Sequence, residues 1–226
     1  MSRPIWATAA AVAALVAIAA GQAGAKTPTF DPGNFVQRVD NPWFPLRAGT
    51  TWRYRGEEDG QAKKQVTTVT DKKKTILGVR VTVVHDRVFT DGEGLTEDTF
   101  DWYAQDRQGN VWYLGEDTKE LDHGRVTTRE GSWEAGVKGA RAGIVMPGRP
   151  RVGQSGLMEY WKGHAEDHFA ITSIRGRTLT TKEWTPLEPA VRDRKVYRRG
   201  TGQVSEETVK GGNERFVLVS VSRSRR

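Results

Sequence analysis

From residue 26 onward the chain alternates apolar and polar side chains over short runs, the period of extended backbone. In residues 79–89, Val79, Val81 and Val83 fall on one side while Arg80, Thr82 and Asp86 fall on the other. Residues 50–55 (TTWRYR) and 64–70 read as strands of the same kind, with turns at Asp59-Gly60 and Gly78. Asp91-Gly92-Glu93-Gly94 turns the chain into a run over 95–105. The aromatic runs DWYAQ and VWYLGE flank five residues (106–110, DRQGN) that include a glycine, which predicts a hairpin. Further strands are predicted over 125–130, 157–162, 164–174, 178–185, 196–199, 203–209 and 215–221, while 137–150, rich in Gly and Pro, reads as a structured loop. No stretch carries a long 3.6-residue apolar period. The expectation is an all-β, antiparallel fold: a strongly curved sheet, sandwich or barrel-like single domain. The DRQGNVW hairpin occurs once, and a propeller would need it repeated.

Composition sharpens this picture. Residues 26–226 hold 21 Val and 22 Thr against 9 Ala and 9 Leu, and β-branched side chains suit a pleated, half-buried surface. The first 25 residues differ: they hold 11 of the 20 alanines. Arg3 precedes an apolar run over 6–20 broken only by Thr8, and Ala23-Gly24-Ala25 is a small-x-small cleavage site before Lys26. The run is shorter than the ~20 apolar residues that cross a bilayer. A cleaved signal peptide over 1–25 is therefore expected, followed by one domain over 26–226 with no transmembrane segment, in a secreted or periplasmic location. The absence of cysteine excludes disulfides, thiolate metal sites and a lipid-modified N-terminal cysteine. A core must hold the domain alone, and about 200 residues bury roughly 70% of the surface of the unfolded chain. The net charge of +7 is spread through 35 basic and 28 acidic residues. The basic clusters at 72–74 and 223–226 do not form the aromatic-interleaved stripe that nucleic acid would require.

Several phrases run along the chain: Val39 to Leu46 (VDNPWFPL), Gly49-Thr50 with Trp52 and Tyr54, Glu97 to Tyr103 (EDTFDWY), and Gly109 to Tyr113 (GNVWY). Gly131 to Gly136 (GSWEAG), Thr185 to Pro189 (TPLEP) and Lys210 to Glu214 (KGGNE) continue them. Together they make the chain resemble a family of exported, β-rich bacterial proteins of actinobacterial type. The sequence departs from that pattern at Ala190, where the family carries glycine after TPLEP. The resemblance implies export and a single β-rich domain; it brings no assigned reaction and no catalytic residue.

Two constellations could carry chemistry. On a strand, His164, Glu166 and His168 would share one face, and two imidazoles with a carboxylate suit a divalent metal. Histidines four apart on a strand are roughly 13 Å apart at Cα by the ~3.3 Å rise, whereas metal–nitrogen bonds are near 2.1 Å. One ion would need further ligands from a neighbouring strand, and HAEDH lacks the order of a zinc-protease HExxH. The plain alternative is a polar strand face with Glu166 paired to a lysine or arginine. The second constellation is acidic and aromatic. Glu97, Asp101 and Tyr103 would share one face of a strand, with Asp98, Phe100 and Trp102 on the other. Paired carboxyls beside tryptophan could hold a sugar, and Asp106, Asn110, Glu116 and Asp117 could offer oxygen ligands to calcium. Turn chemistry is the stronger reading of Asp106 and Asn110, and cross-strand packing of the aromatics.

The sequence thus points to a non-enzymatic exported protein that binds a small molecule or envelope component on an aromatic-lined sheet face. The expected ligand site is Asp101, Trp102, Tyr103, Trp112 and Glu166, with no cofactor beyond a possible divalent metal at His164, Glu166 and His168. The alternative is a hydrolase, metal-dependent or not, with Glu166 or Asp101 as general base.

Overall fold

The computed structural model describes residues 29–224, so the predicted signal peptide over 1–25 lies outside the described residues. Among the described residues the only helical element is a three-residue 3-10 turn, and no helix is long and apolar enough to cross a membrane. The strands in chain order are β1 (Phe35–Val36), β2 (Thr50–Glu58), β3 (Gln61–Ile76), β4 (Val79–Thr90), β5 (Gly94–Asp106) and β6 (Val111–Asp117). They continue with β7 (Glu120–Asp122), β8 (Arg125–Thr128), β9 (Trp133–Glu134), β10 (Arg141–Met146), β11 (Ser155–Leu157) and β12 (Glu159–Tyr160). The last five are β13 (His168–Arg175), β14 (Thr178–Trp184), β15 (Arg192–Arg198), β16 (Gly202–Lys210) and β17 (Arg215–Arg223).

Every pairing is antiparallel. Strands β2 to β6 pair in succession, as do β13 to β17, and β17 pairs with β2. β6 then pairs with β10, and the segment 155–160 is the seam: β12 pairs with β10, while β11 pairs with β13. The sheet is thus nearly closed into a barrel, and closure removes exposed edges. Register shifts within β3–β4, β4–β5, β15–β16 and β17–β2 mark the bulges that coil it. The seam depends on Gly143 of β10, where a Cβ would lie 2.4 Å from the Leu157 carbonyl oxygen and 2.5 Å from that of Met158. No larger residue permits that approach.

Strands β4 to β6 bury both faces. On β4, Val79, Val81 and Val83 lie on one face, and Val84, Asp86 and Val88 on the other, which lines the barrel interior. The same alternation sends Trp102 and Ala104 of β5 away from the interior and Asp101 and Tyr103 into it. On β6, Trp112 and Leu114 face away and Tyr113 faces in. The outward face is a closed core. Phe30 and Phe35 meet Trp112 edge-on at 5.7 and 5.8 Å, and the Lys74 ammonium sits 3.4 Å over the Trp102 ring while paired to Glu134 at 2.7 Å. The Lys72–Lys74 cluster is therefore a lid on aromatic surface, since Lys72 lies 3.9 Å over Phe100.

Segment 39–46 folds across the barrel. Asn41, buried, donates its backbone N–H to the Gln105 side-chain carbonyl at 2.7 Å. Its amide nitrogen donates to the carbonyls of Gly109 (2.8 Å) and Pro147 (3.1 Å), and its oxygen accepts the Trp43 N–H at 2.8 Å. Trp43 is thereby driven into a core with Val111, Met146, Ile171, Leu179 and Tyr197.

The strand expected over 157–162 is split between β11 and β12, and two further predicted elements differ. The loop expected over 137–150 contains β10, because Ile144 and Met146 pair with β6 inside flanks whose Gly and Pro dominate the local composition. The strand expected over 164–174 starts only at His168, because Trp161 and Ala165 close a tight turn, the Trp161 N–H donating to the Ala165 carbonyl at 2.6 Å.

Candidate functional site: an acidic, aromatic barrel cavity

The inward-facing positions enclose a cavity of about 240 Å³. Aromatic side chains supply much of its wall: Trp52 and Tyr54 from β2, Tyr103 and Tyr113 from β5 and β6, Tyr197 from β15, and Phe216 from β17, with Phe44 entering from segment 39–46. Tyr103 and Tyr113 stack with centroids 4.9 Å apart, and Phe44 leans on Tyr103 at 5.2 Å. Tyr54 donates its hydroxyl to the Gln203 carbonyl at 3.1 Å and Trp52 its indole N–H to the Thr201 carbonyl at 2.7 Å, so both rings are fixed from behind.

Carboxyls supply the rest. Asp86, Glu97, Asp101, Glu116, Glu159, Asp167, Glu183, Glu206 and Glu214 all line the cavity, against a single lysine, Lys195. A chain of net charge +7 has thus concentrated nine acids in its interior. A bulge brings one of them in. Asp101 and Tyr103 of β5 pair with Glu116 and Tyr113 of β6, so three steps of β6 match two of β5. The extra residue lies between Tyr113 and Glu116, and both therefore point inward. Gly115 sits in this bulge with φ 130°, and a Cβ there would lie 2.2 Å from the Trp133 carbonyl oxygen.

Two full charges roughly 6 Å apart repel by about 3 kcal/mol at an effective dielectric near 20, so nine carboxylates cannot all be ionised around one lysine. The protein divides the load. Lys195 bridges Glu183 at 3.0 Å and Glu206 at 3.2 Å; burial alone would lower its pKa, but the two carboxylates hold it well above the ordinary lysine value. Asp86 accepts from the Gln65 amide (2.6 Å), the Thr67 hydroxyl (2.8 Å) and the Arg87 N–H (3.0 Å), while burial still pushes it upward. Glu214 has Lys63 at 3.4 Å and is pushed by burial up to about 7. The rest lean toward the neutral acid. Burial, reinforced by Asp86, raises Glu97 to about 8 and Asp101 to about 7, although Asp101 accepts the Tyr113 hydroxyl at 2.7 Å. Burial raises Glu159 to about 8, and it drives Glu116 and Asp167 upward with Glu159 as the leading charged neighbour of each. Glu159 and Asp167 are only 3% and 5% exposed, yet Glu159 Oε2 and Asp167 Oδ1 have no hydrogen-bond partner.

The structure divides the residues expected to bind ligand. Asp101 and Tyr103 line the cavity; Trp102 and Trp112 occupy the opposite face of the same strands, in the outer core. Glu166 lies at the 161–165 turn, where it accepts the Gly163 N–H at 2.6 Å. The three residues expected to hold a metal are not gathered. His164 stacks on Trp161 at 4.0 Å and His168 on Trp184 at 5.4 Å; with His164 to Asp167 outside any strand, the shared face does not exist. Among the described residues no group of three His, Asp or Glu is placed to hold a metal ion. Asp106 follows turn chemistry: it accepts the Asn110 backbone N–H (2.9 Å), the Asn110 side-chain amide (2.7 Å) and the Trp112 indole N–H (2.9 Å). Sequence reasoning missed Glu159, Asp167, Glu183, Lys195 and Glu206. The available signal for Glu183 and Lys195 was the two-residue period that sets them in line with the buried Leu179 and Thr181 and with the buried Tyr197.

Fold and site together define an antiparallel β-barrel with an internal acidic and aromatic cavity. No protein-family model and no curated protein matches the chain significantly. Two solved structures are similar in backbone: a "putative exported protein with YmcC-like fold" from Bacteroides fragilis, at 11% identity and TM-score 0.44, and a "putative lipoprotein" from Parabacteroides distasonis, at 10% identity and TM-score 0.40. Each alignment covers 80% of this chain and 99% of the other.

Proposed function

We propose that the protein is an exported binding protein that holds a small ligand, free or part of an envelope component, inside the barrel. Export rests on the leader over 1–25 and on the family resemblance. The observation that carries the binding reading is the cavity itself, where rigid aromatic walls alternate with carboxyls, the combination that gives a ligand apolar burial plus orientation. The proposed site keeps Asp101 and Tyr103 from the sequence expectation and adds Trp52, Tyr113, Glu159 and Asp167. A thermal-shift screen of small metabolites, glycans and lipid headgroups tests it. A ligand at 100 times its Kd stabilises by about 2.7 kcal/mol, which is roughly 5–10 °C for a domain of this size. The same ligand should change the intrinsic fluorescence, and Trp52→Phe should diminish that change. A screen in which nothing moves either signal overturns the reading.

One observation favours a second reading, a hydrolase. Asp101 faces the cavity, held by Tyr113 and raised to about 7, the value a general base needs near neutral pH. Turnover of a bound ligand that disappears in Asp101→Asn while binding persists would establish it.

A further inference from the structure

We propose that the ligand is an organic cation: a small amine with one or two ammonium groups on an apolar skeleton, an ammonium taken up at Glu159 and Asp167 and the skeleton lying along the Tyr103–Tyr113 stack. This rests on the barrel cavity being a ligand site.

Three observations carry it. First, the interior has a surplus of acceptors. The Lys195 ammonium serves Glu183 and Glu206, and Lys63 serves Glu214, so among the described residues no further cation forms an ion pair with the other lining carboxyls. Second, one oxygen of each of two carboxyls, Glu159 Oε2 and Asp167 Oδ1, meets no donor on side chains more than nine-tenths buried, although the Trp133 indole and the Thr185 hydroxyl partly serve these carboxyls. Leaving buried acceptors unmet is costly, and a donor brought by a ligand relieves that cost. A neutral acid can give one O–H to a carbonyl ligand, but only an ammonium brings three donors together with a charge that offsets the ionisation of these acids. Third, this interior already holds one ammonium between two carboxylates, at 3.0 and 3.2 Å, and it does so beside tyrosine rings whose faces attract cations. A bare metal ion fits less well, since the described carboxyls are not grouped for coordination.

Uptake of a cation should expel protons. Glu159 faces Asp101 and Lys195, and Glu116 and Asp167 each feel Glu159; Asp167 also faces Lys195 and Glu183. Ionising Glu159 beside these acids is unfavourable until a ligand ammonium arrives, so binding should strengthen as pH rises from 6 to 8.

Isothermal titration of the processed protein with 1,5-diaminopentane, spermidine, hexylamine, 1,5-pentanediol and glutarate tests the class, in two buffers of different ionisation enthalpy at pH 6 and 8. The expected result is binding by at least one amine with net proton release. The diol and the diacid should bind at least about 100-fold more weakly. Glu159→Gln and Asp167→Asn, isosteric changes that remove an ionisable carboxyl and keep the far-ultraviolet circular dichroism, should each weaken amine binding about 10- to 100-fold. Amine binding undiminished in both variants overturns the site. Silent amines overturn the class, and the broad screen then separates the two ideas: a neutral or anionic hit that acts through Trp52 leaves the cavity as a ligand site, whereas no hit at all removes both.

Discussion

Replacing Glu159 by glutamine should make the unliganded protein more stable, and by an amount that depends on pH. Glu159 is 3% exposed at the seam, and burial raises it from 4.5 to about 8. In the unfolded chain the same carboxyl loses its proton near 4.5. Between those values the folded state binds the additional proton, so this group's contribution is fully present below pH 4.5 and is lost as pH climbs toward 8. Each pH unit removes about 1.4 kcal/mol, which makes about 3 kcal/mol by pH 7. Glutamine retains the shape and does not titrate. The stability difference, variant minus wild type, should therefore be near zero at pH 4.5 and reach about 3 kcal/mol in favour of the variant at pH 7, roughly 6–12 °C in Tm. Urea unfolding followed by tryptophan fluorescence at pH 4.5, 5.5, 6.5 and 7.5 measures this, with m-values checked for constancy. A difference that stays flat across the series refutes the reasoning: Glu159 would then be charged in the folded state at neutral pH, with its charge met by a group of the chain.

Lys195→Met should cost about 3–5 kcal/mol by urea unfolding at pH 8, because Glu183 and Glu206 lose their shared cation; a loss under about 1 kcal/mol would show that the pair does not depend on it. Asp106→Ala should cost about 2–4 kcal/mol by urea unfolding, since three donors lose their acceptor at a residue 1% exposed. The wild-type Tm should be the same with calcium or with a chelator, and a calcium-dependent rise would revive the hairpin acids as cation ligands.

What the sequence made legible follows from what alternation encodes. The period of Val79, Val81 and Val83 identified β4 and one of its faces correctly, and DRQGN announced the hairpin that Asp106 closes. Alternation could not say which face would enclose a cavity. Trp102 and Trp112 looked like a ligand wall because aromatic residues attract that reading, yet the pleat places them opposite Asp101 and Tyr103. The bulge at Gly115 shifts the parity of β6, so Glu116 joins Tyr113 inside, and no local pattern announces that shift. Glu159, Asp167 and Glu183 escaped notice because they meet only in three dimensions, across strands brought together by the seam at Gly143. His164, Glu166 and His168 drew attention through proximity in the chain, and a tight turn separates their directions.

The two-sided burial of β4 to β6 has an evolutionary consequence. Cohesion of these strands is vested in Val81, Val83, Trp102, Trp112 and Leu114 on the far side of the sheet, while Asp101, Tyr103 and Tyr113 decorate the chamber. Substitutions in the chamber leave the scaffold's main hydrophobic anchorage in place. Descendants of such a chain could vary their inward residues, those around Lys195 apart, each trial starting from a barrel that still folds.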